Sequence, residues 1–437
     1  MTRIIFALAA IILAAAIAGA GWYYRPWSEY SPAKVRALDV PEEYPATFQM
    51  MDEILPASVV AAGAPTALPR AEGAFPDSFE FNGETVLLAD YAARAQIIGL
   101  TVMRDGAVVD QAFYQGADED TLFTSWSVAK SVVATLIAKA LEDGLIASLD
   151  DPAQRYAPQF EGTAYGETSL RHLLMMSAGV DFTEVYSPGN PSDIRPLFFN
   201  AFILGRNIDA MVGEYERNRA PGQDLHYTSP NSHVLAAVAR AVYGGRLVDV
   251  VSDQLWTPLG MSANATWLQN TVGEDGVAVG YCCLQARSED YARFGEFYRT
   301  DGVWNGERLL PEGWSEDATT PRAPWQEPGA TRYEGRGYGL HFWIPQDYDG
   351  EFYAAGVFGQ YIWVDRRRGV VIAQNAGDPV WSDKLPEAYA FFRAVSEHVS
   401  PLADRRGEAA ARVIAEDVAD EEAEAETAGG GESGGGG

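Results

Sequence analysis

The stretch SWSVAKSVVATLIAKALEDG, residues 125–144, reads as one helix running from Ser127 to Glu142 and stopped by Gly144. Val128, Ala129, Val132, Val133, Ala134, Leu136, Ile137, Ala140 and Leu141 make it apolar nearly all round, which is the pattern of a buried helix. Ser127 and Lys130 stand three apart, on one side and about one turn along. Lys130 then carries a charge where charge is costly unless paired, and desolvation pulls a lysine pKa toward neutrality. An amine so placed beside a hydroxyl takes its proton and leaves an alkoxide-like nucleophile. The free N–H groups of the first helical turn favour the developing negative charge. The plainer alternative is a helix-start serine with a lysine that snorkels to solvent. The spacing alone is weak: Ser31-Pro32-Ala33-Lys34 repeats it, with a proline inside and no buried helix after it, and is read as chance. The helix context favours the chemical reading at 127–130.

Outward from this helix, Gln96–Tyr114 holds two strand-like runs around Arg104-Asp105-Gly106, a hairpin signal. Residues 150–330 alternate helical segments with Pro/Gly loops. A second hairpin is expected over Tyr353–Asn375, turning at Arg366-Arg367-Arg368-Gly369, and a final amphipathic helix from about Leu385 to His398. Strands near both ends with helices between predict an α+β (α/β sandwich) fold, in which one antiparallel sheet assembled from both ends is flanked by helices and a mainly helical region is inserted at about 150–330. The expected divisions are an N-terminal signal or anchor (1–25), a Pro/Ala-rich linker and wrapping segment (26–80), a catalytic domain (81–402) and an acidic, Gly-rich disordered tail (403–437), with a helix near Ala409 to Val418.

Ile4 to Ala20 is an unbroken run of apolar and small residues, preceded by Arg3 and followed by Trp22, Tyr23, Tyr24, Arg25 and Trp27. It fits a signal peptide cleaved near Ala18-Gly19-Ala20, or an uncleaved anchor with interfacial aromatics, and the aromatics tilt the reading toward the anchor. Either sends the rest of the chain to the periplasmic or extracellular side, tethered through residues 4–23 if uncleaved.

Composition narrows the functions. The 437 residues are 47% hydrophobic and 12% aromatic, enough for a sizeable core. With 61 acidic against 32 basic residues the formal charge is -29, which speaks against nucleic acid as a partner. Residues 401–437 hold ten of the acids and three of the bases, so most of the excess lies on the folded body. The two cysteines, Cys282 and Cys283, are adjacent and read as small core residues rather than a disulfide framework. The five histidines show no metal-ligand spacing, and there is no GxxxxGK[ST], so no metal or other cofactor is expected. Ser127 lies between Trp126 and Val128, not in a G-x-S-x-G elbow.

Two further segments can serve the same chemistry. His226-Tyr227-Thr228-Ser229-Pro230-Asn231-Ser232 precedes an apolar helix, and Tyr227 there could share its proton with Ser127 and Lys130 and act as general acid. Ala354-Ala355-Gly356-Val357-Phe358-Gly359-Gln360 lies on the second hairpin, where glycine permits close approach and a strand can offer an N–H to an oxyanion. Taken singly, each reads as structural.

In this order and spacing the three segments resemble the serine β-lactamase and penicillin-binding-protein superfamily. The flanks LRHLLMMSAGVDFTEVY (170–186), LWTPLGMSANATWL (255–268) and SEDYARFGEFYRTDGVWNGERLL (288–310) are similar to its class C-like branch, which contains 6-aminohexanoate-dimer hydrolases and related esterases. The likeness covers roughly residues 80–400. It implies Ser127 as acylated nucleophile, Lys130 as its base, Tyr227 as the second-motif tyrosine, Tyr186 as a substrate contact, and Gly356 as the third-motif glycine. The N–H groups of Val357 and Ser127 would form the oxyanion hole. Two departures stand out. Asn231 falls four residues after Tyr227 rather than two, leaving its role open, and Ala354 occupies the site of a Lys or His, removing a cationic partner for a β-lactam carboxylate. The implied activity is hydrolysis of a small ester or amide through an acyl-enzyme. The alternatives are a D-Ala-D-Ala carboxypeptidase or β-lactamase, and a non-catalytic ligand-binding scaffold.

Overall fold

A computed structural model describes residues 2–28, 30–186, 189–333, 335–403 and 405. The acidic tail, with the helix expected near 409–418, lies outside the described residues apart from 403 and 405.

The elements that frame the site are, in chain order, α1 (Thr2–Tyr24), β1 (Ala57–Val60), β2 (Ile97–Arg104), β3 (Ala107–Phe113), β4 (Phe123–Thr124), α2 (Val128–Glu142), α3 (Leu170–Leu174), α4 (Ser229–Tyr243), β5 (Ala265–Leu268), β6 (Leu284–Ala286), α5 (Ser288–Arg299), β7 (Gly337–Tyr338), β8 (Trp343–Ile344), β9 (Glu351–Gly356), β10 (Gln360–Asp365), β11 (Val370–Ala376) and α6 (Leu385–Val399). Shorter helices fill the spaces between them. The main sheet has seven strands in the order β7-β8-β9-β10-β11-β2-β3, all antiparallel neighbours. The pairing of β11 with β2, Val371 opposite Met103 and Ala373 opposite Thr101, joins the two sequence ends into one sheet, as expected.

Both faces of this sheet are apolar. Ile362 and Val364 of β10, with Val371 and Ala373 of β11, face the core that holds α2 and α5. Their alternates Tyr361, Trp363, Val370 and Ile372 face Phe391, Phe392 and Val395 of α6. This is the period-2 pattern of a strand buried on two sides. In β2, Val102 faces α6 and Met103 faces α2, and a register shift at this point leaves Val109 of β3 without a partner in the ladder. A second, four-stranded sheet runs β1-β5-β6-β4. It receives β1 from the N-terminal segment, and β4 leads directly into the turn before α2.

Helix α2 is buried along Val128–Ala138 and packs against α4 on one side and the β9/β10 strands on the other. It therefore lies at the seam between the main sheet and the helical region. Helix α1 has no buried residue and a mean hydropathy of 2.6, which fits a signal or anchor segment by length and composition.

Candidate active site

Ser127 is the N-cap of α2 and is presented by a tight turn. Trp126, just before it, holds a left-handed backbone with φ 43°. Across the cleft Phe358, at φ 66°, makes a second left-handed turn after β9. The two rings pack together with centroids 5.4 Å apart, and Phe48 lies 5.4 Å from each. Two unfavourable turns are thus held by one aromatic cluster, part of it supplied by the N-terminal segment. Gly356 ends β9 against the same turn. A Cβ at Gly356 would come within 2.4 Å of the Ser125 carbonyl oxygen and 3.0 Å of the Ser127 nitrogen, so only glycine lets the strand and the Ser127 turn approach this closely.

Lys130, 2% exposed, donates from Nζ to Ser127 Oγ at 2.7 Å and to the Tyr281 carbonyl at 3.1 Å. The ammonium also stands 5.0 Å from the centroid of the Tyr227 ring. Tyr227 lies two residues before α4, its hydroxyl interacting with Ser127 and Lys130. Its N–H donates to Tyr333 Oη at 2.8 Å, and its ring stacks on Trp343 at 5.5 Å and 22°. Three of the expected residues, Ser127, Lys130 and Tyr227, therefore meet at one point.

The electrostatics correct one expectation. Burial is the largest influence and works to lower the Lys130 pKa, but the neighbouring Tyr227 hydroxyl and the charge of Glu184 together outweigh it, and the amine stands above an ordinary lysine rather than near neutrality. Burial likewise raises the Tyr227 hydroxyl, with Lys130 opposing.

A cleft of about 510 Å³ opens over this cluster. Its lining includes Ser127, Tyr186, Tyr227, Gly356 and Val357, so every expected site residue except the buried Lys130 borders it. Tyr186 is 41% exposed and donates its hydroxyl to Glu184 Oε1 at 2.5 Å. Asn231 is elsewhere: fully buried on α4, it accepts from Thr228 Oγ1 at 3.1 Å and donates to the Leu173 carbonyl at 3.4 Å. Ser31 and Lys34 form no second site: Ser31 caps a four-residue helix, and Lys34 Nζ donates to the Glu53 carbonyl. Cys282 and Cys283 are buried free thiols beside Tyr281. The aromatic side chains Tyr186, Tyr333 and Trp343 also line the cleft, while Tyr338 is buried.

Sequence reasoning missed three contributors. Glu184 sits two residues before Tyr186, inside a stretch already singled out, so its position was available. Arg336 lines the cleft with its guanidinium 4.5 Å over the Trp343 ring and Nε donating to the Tyr333 carbonyl at 3.0 Å. The cleft thus has a cation, although Ala354 is not one. The Tyr281 carbonyl has no sequence signal, because any residue supplies one. Among the described residues no group of His, Cys, Asp and Glu is arranged to hold a metal ion.

Comparison with known proteins bears on the family and the fold. The sequence model of the family described as Beta-lactamase matches residues 87–387. The chain is 28% identical over 290 residues to a 6-aminohexanoate-dimer hydrolase of Paenarthrobacter ureafaciens, spanning 64% of this chain and 72% of that one. A candidate 6-aminohexanoate-dimer hydrolase from Bacillus anthracis superposes with a TM-score of 0.73 at 21% identity, over 82% of this chain and 94% of its own. A class C beta-lactamase from Rhodobacter sphaeroides superposes at 0.50 with 15% identity, over 70% and 97%. At these identities the structural likeness speaks to the fold.

Proposed function

The chain belongs to the beta-lactamase family, whose matched relatives are hydrolases, and from that premise we propose that it hydrolyses a small ester or amide through an acyl-enzyme on Ser127. The observation that carries the proposal is the 2.7 Å contact between Lys130 Nζ and Ser127 Oγ on the floor of the cleft, with Tyr227 beside both.

The step runs as follows. The Lys130–Tyr227 pair, having given up one proton to solvent, accepts the Ser127 hydroxyl proton as Oγ bonds to the substrate carbonyl carbon. The carbonyl electrons move onto oxygen, facing the N–H groups of Ser127 and Val357. Collapse breaks the bond to the leaving alcohol or amine, which takes its proton from Tyr227. Water then attacks the acyl-enzyme, giving one proton to the same pair; the bond between the acyl carbon and Ser127 Oγ breaks, Oγ takes that proton back, and the carboxylic acid departs. The raised Lys130 pKa supports the pair, rather than a neutral lysine alone, as the base. Two proton-accepting groups at one point also weigh against a binding scaffold without chemistry.

Arg336 favours a second reading for specificity. A buried guanidinium at the cleft wall suits a substrate carboxylate, so the carboxypeptidase or β-lactamase alternative stays open on that observation. The test is intact-protein mass spectrometry after incubation with p-nitrophenyl acetate, penicillin G or a fluorophosphonate. Adducts that vanish in Ser127→Ala, with ester turnover and no lasting penicilloyl species, are expected. A stable penicilloyl adduct would move the protein to the cell-wall reading, and undiminished labelling of the mutant would remove Ser127 from the mechanism.

We also propose that α1 holds the protein at a membrane, with the folded body on the periplasmic or extracellular side.

A further inference from the structure

Glu184 is the carboxylate closest in function to the Ser127 cluster, and it has an unusual set of partners. Its Oε2 accepts from the Ser229 N–H at 2.6 Å, while Oε1 accepts from Ser229 Oγ at 2.9 Å and from the Tyr186 hydroxyl at 2.5 Å. Ser229 opens α4 and is 1% exposed, and Tyr227 is two residues upstream of it. One carboxylate therefore ties the chain that carries Tyr227 to the loop that carries Tyr186, and both tyrosines line the cleft over Ser127.

Lys130 gives the arrangement its meaning. Its hydrogen-bond partners are Ser127 Oγ, the Tyr281 carbonyl and the Tyr227 hydroxyl, whose proton burial holds on, yet its ammonium is buried. A buried charge needs an opposite charge nearby. The other groups around the cluster do not supply it. Tyr281 and Cys282 face Lys130 from one segment, and burial keeps the Tyr281 hydroxyl protonated. His341, on the strand side, is held down to about 3 by burial and is neutral. Tyr333 and Tyr338 face Tyr227 with burial-raised hydroxyls, and Arg336 adds positive charge. Glu184 lines the same cleft as Ser127 and Tyr227, and its charge bears on both Lys130 and Tyr227.

We propose that Glu184 is a positioning residue of the reaction: it supplies the countercharge for the Ser127–Lys130–Tyr227 cluster and fixes Tyr227 and Tyr186 relative to each other. The inference rests on the serine-hydrolase reading above. In consequence Glu184 sets the pH at which the cluster loses its first proton and becomes competent to accept that of Ser127. Its negative charge holds protons on both partners, so removing it moves the acid limb of the reaction to lower pH.

The test is the pH dependence of fluorophosphonate labelling of the full chain in detergent, for the unsubstituted protein, Glu184→Gln, Glu184→Asp and Ser127→Ala. Glu184→Gln should shift the acid limb down by about one pH unit, the size expected for one charge acting across a partly buried site. It should also lower the plateau rate about tenfold through looser placement of Tyr227. Glu184→Asp keeps the charge and should keep the limb, even with a lower plateau. A Glu184→Gln profile that overlays the unsubstituted one would overturn the inference, and so would an equal shift in Glu184→Asp. Undiminished labelling of Ser127→Ala would overturn the serine-hydrolase reading itself, and the inference with it.

Discussion

Under the proposed mechanism Lys130 and Gly356 each give a prediction. Lys130→Met keeps the volume of the buried stem and removes the proton acceptor. Labelling of Ser127 should fall by about 10³-fold, the scale of a lost general base. The melting temperature should hold or rise, because an apolar side chain replaces a desolvated charge. A fall of more than about 5 °C in a thermal melt would mean that the ammonium supports the fold as well. Gly356→Ala acts oppositely: its new methyl meets the Ser125 carbonyl and the Ser127 nitrogen, and both are backbone that cannot swing away. Acylation should drop by about 10²-fold or more, as when an oxyanion donor is displaced, at a cost in stability of about 1–3 kcal/mol. Retained acylation in Gly356→Ala would mean that β9 does not border the reacting carbonyl.

At the scale of elements, the contact of α2 and α4 with the strand side depends on His341. Its Nε2 meets Ser232 Oγ on α4 at 2.7 Å, its Nδ1 meets the Leu174 carbonyl at 2.8 Å, and its own carbonyl accepts from Ser131 Oγ on α2 at 2.7 Å. Burial lowers its pKa to about 3. The unfolded chain protonates this ring at about 6.5, so below that pH it binds a proton that the folded state refuses. Stability from this group is therefore complete above about pH 6.5 and declines as pH falls toward 3, by several kcal/mol at about 1.4 kcal/mol per pH unit. Denaturant midpoints between pH 7 and 4 should fall, and His341→Gln should flatten that slope; an unchanged slope would place the acid sensitivity elsewhere. Helix α6 tests the other face of the sheet. Phe391 is fully buried against Phe79 and Tyr91, and Phe391→Ala should cost about 3–5 kcal/mol in chemical denaturation while leaving the Ser127 labelling chemistry intact in the folded fraction. The element pattern was partly legible in the sequence: the first hairpin, the turn at Arg366–Gly369, the buried helix and the final helix announce themselves by period and by turn residues, but the turn at Val357–Gly359, which divides one expected strand into β9 and β10, was not legible. Asn231 was not, because spacing alone could not distinguish a cleft amide from one that ties α4 to α3.

For the molecule as a whole, the N-terminal segment runs from the apolar helix α1 to the site. Tyr44 and Phe48 pack on Phe358 and Trp126, and β1 pairs with β5. A chain begun at residue 30 should fold and label at Ser127 without detergent, whereas one begun at residue 81 should lose the aromatic support and fail to label. Equal labelling of the two would show that the left-handed turns at Trp126 and Phe358 hold themselves. The full chain should partition with membranes through α1, and N-terminal sequencing distinguishes an anchor that begins at Met1 or Thr2 from a chain cut after Ala20.

The sequence by itself determined the strand pattern of Gln96–Tyr114, the periods of α2 and α6, the apolar surroundings of α2, and the one-turn spacing of Ser127 and Lys130, since these are local properties of a chain with fixed helical and strand geometry. It also singled out Tyr227, Gly356, Val357 and Tyr186, by motif order and resemblance. Only the tertiary structure decided that Tyr227 meets Ser127 and Lys130, that Arg336 and Glu184 border the same cleft, and that the Lys130 pKa rises instead of falling. Desolvation can be read from an apolar helix, but its opponents are charges about fifty and a hundred residues away in the chain, and their distance from Lys130 exists only once the chain has folded.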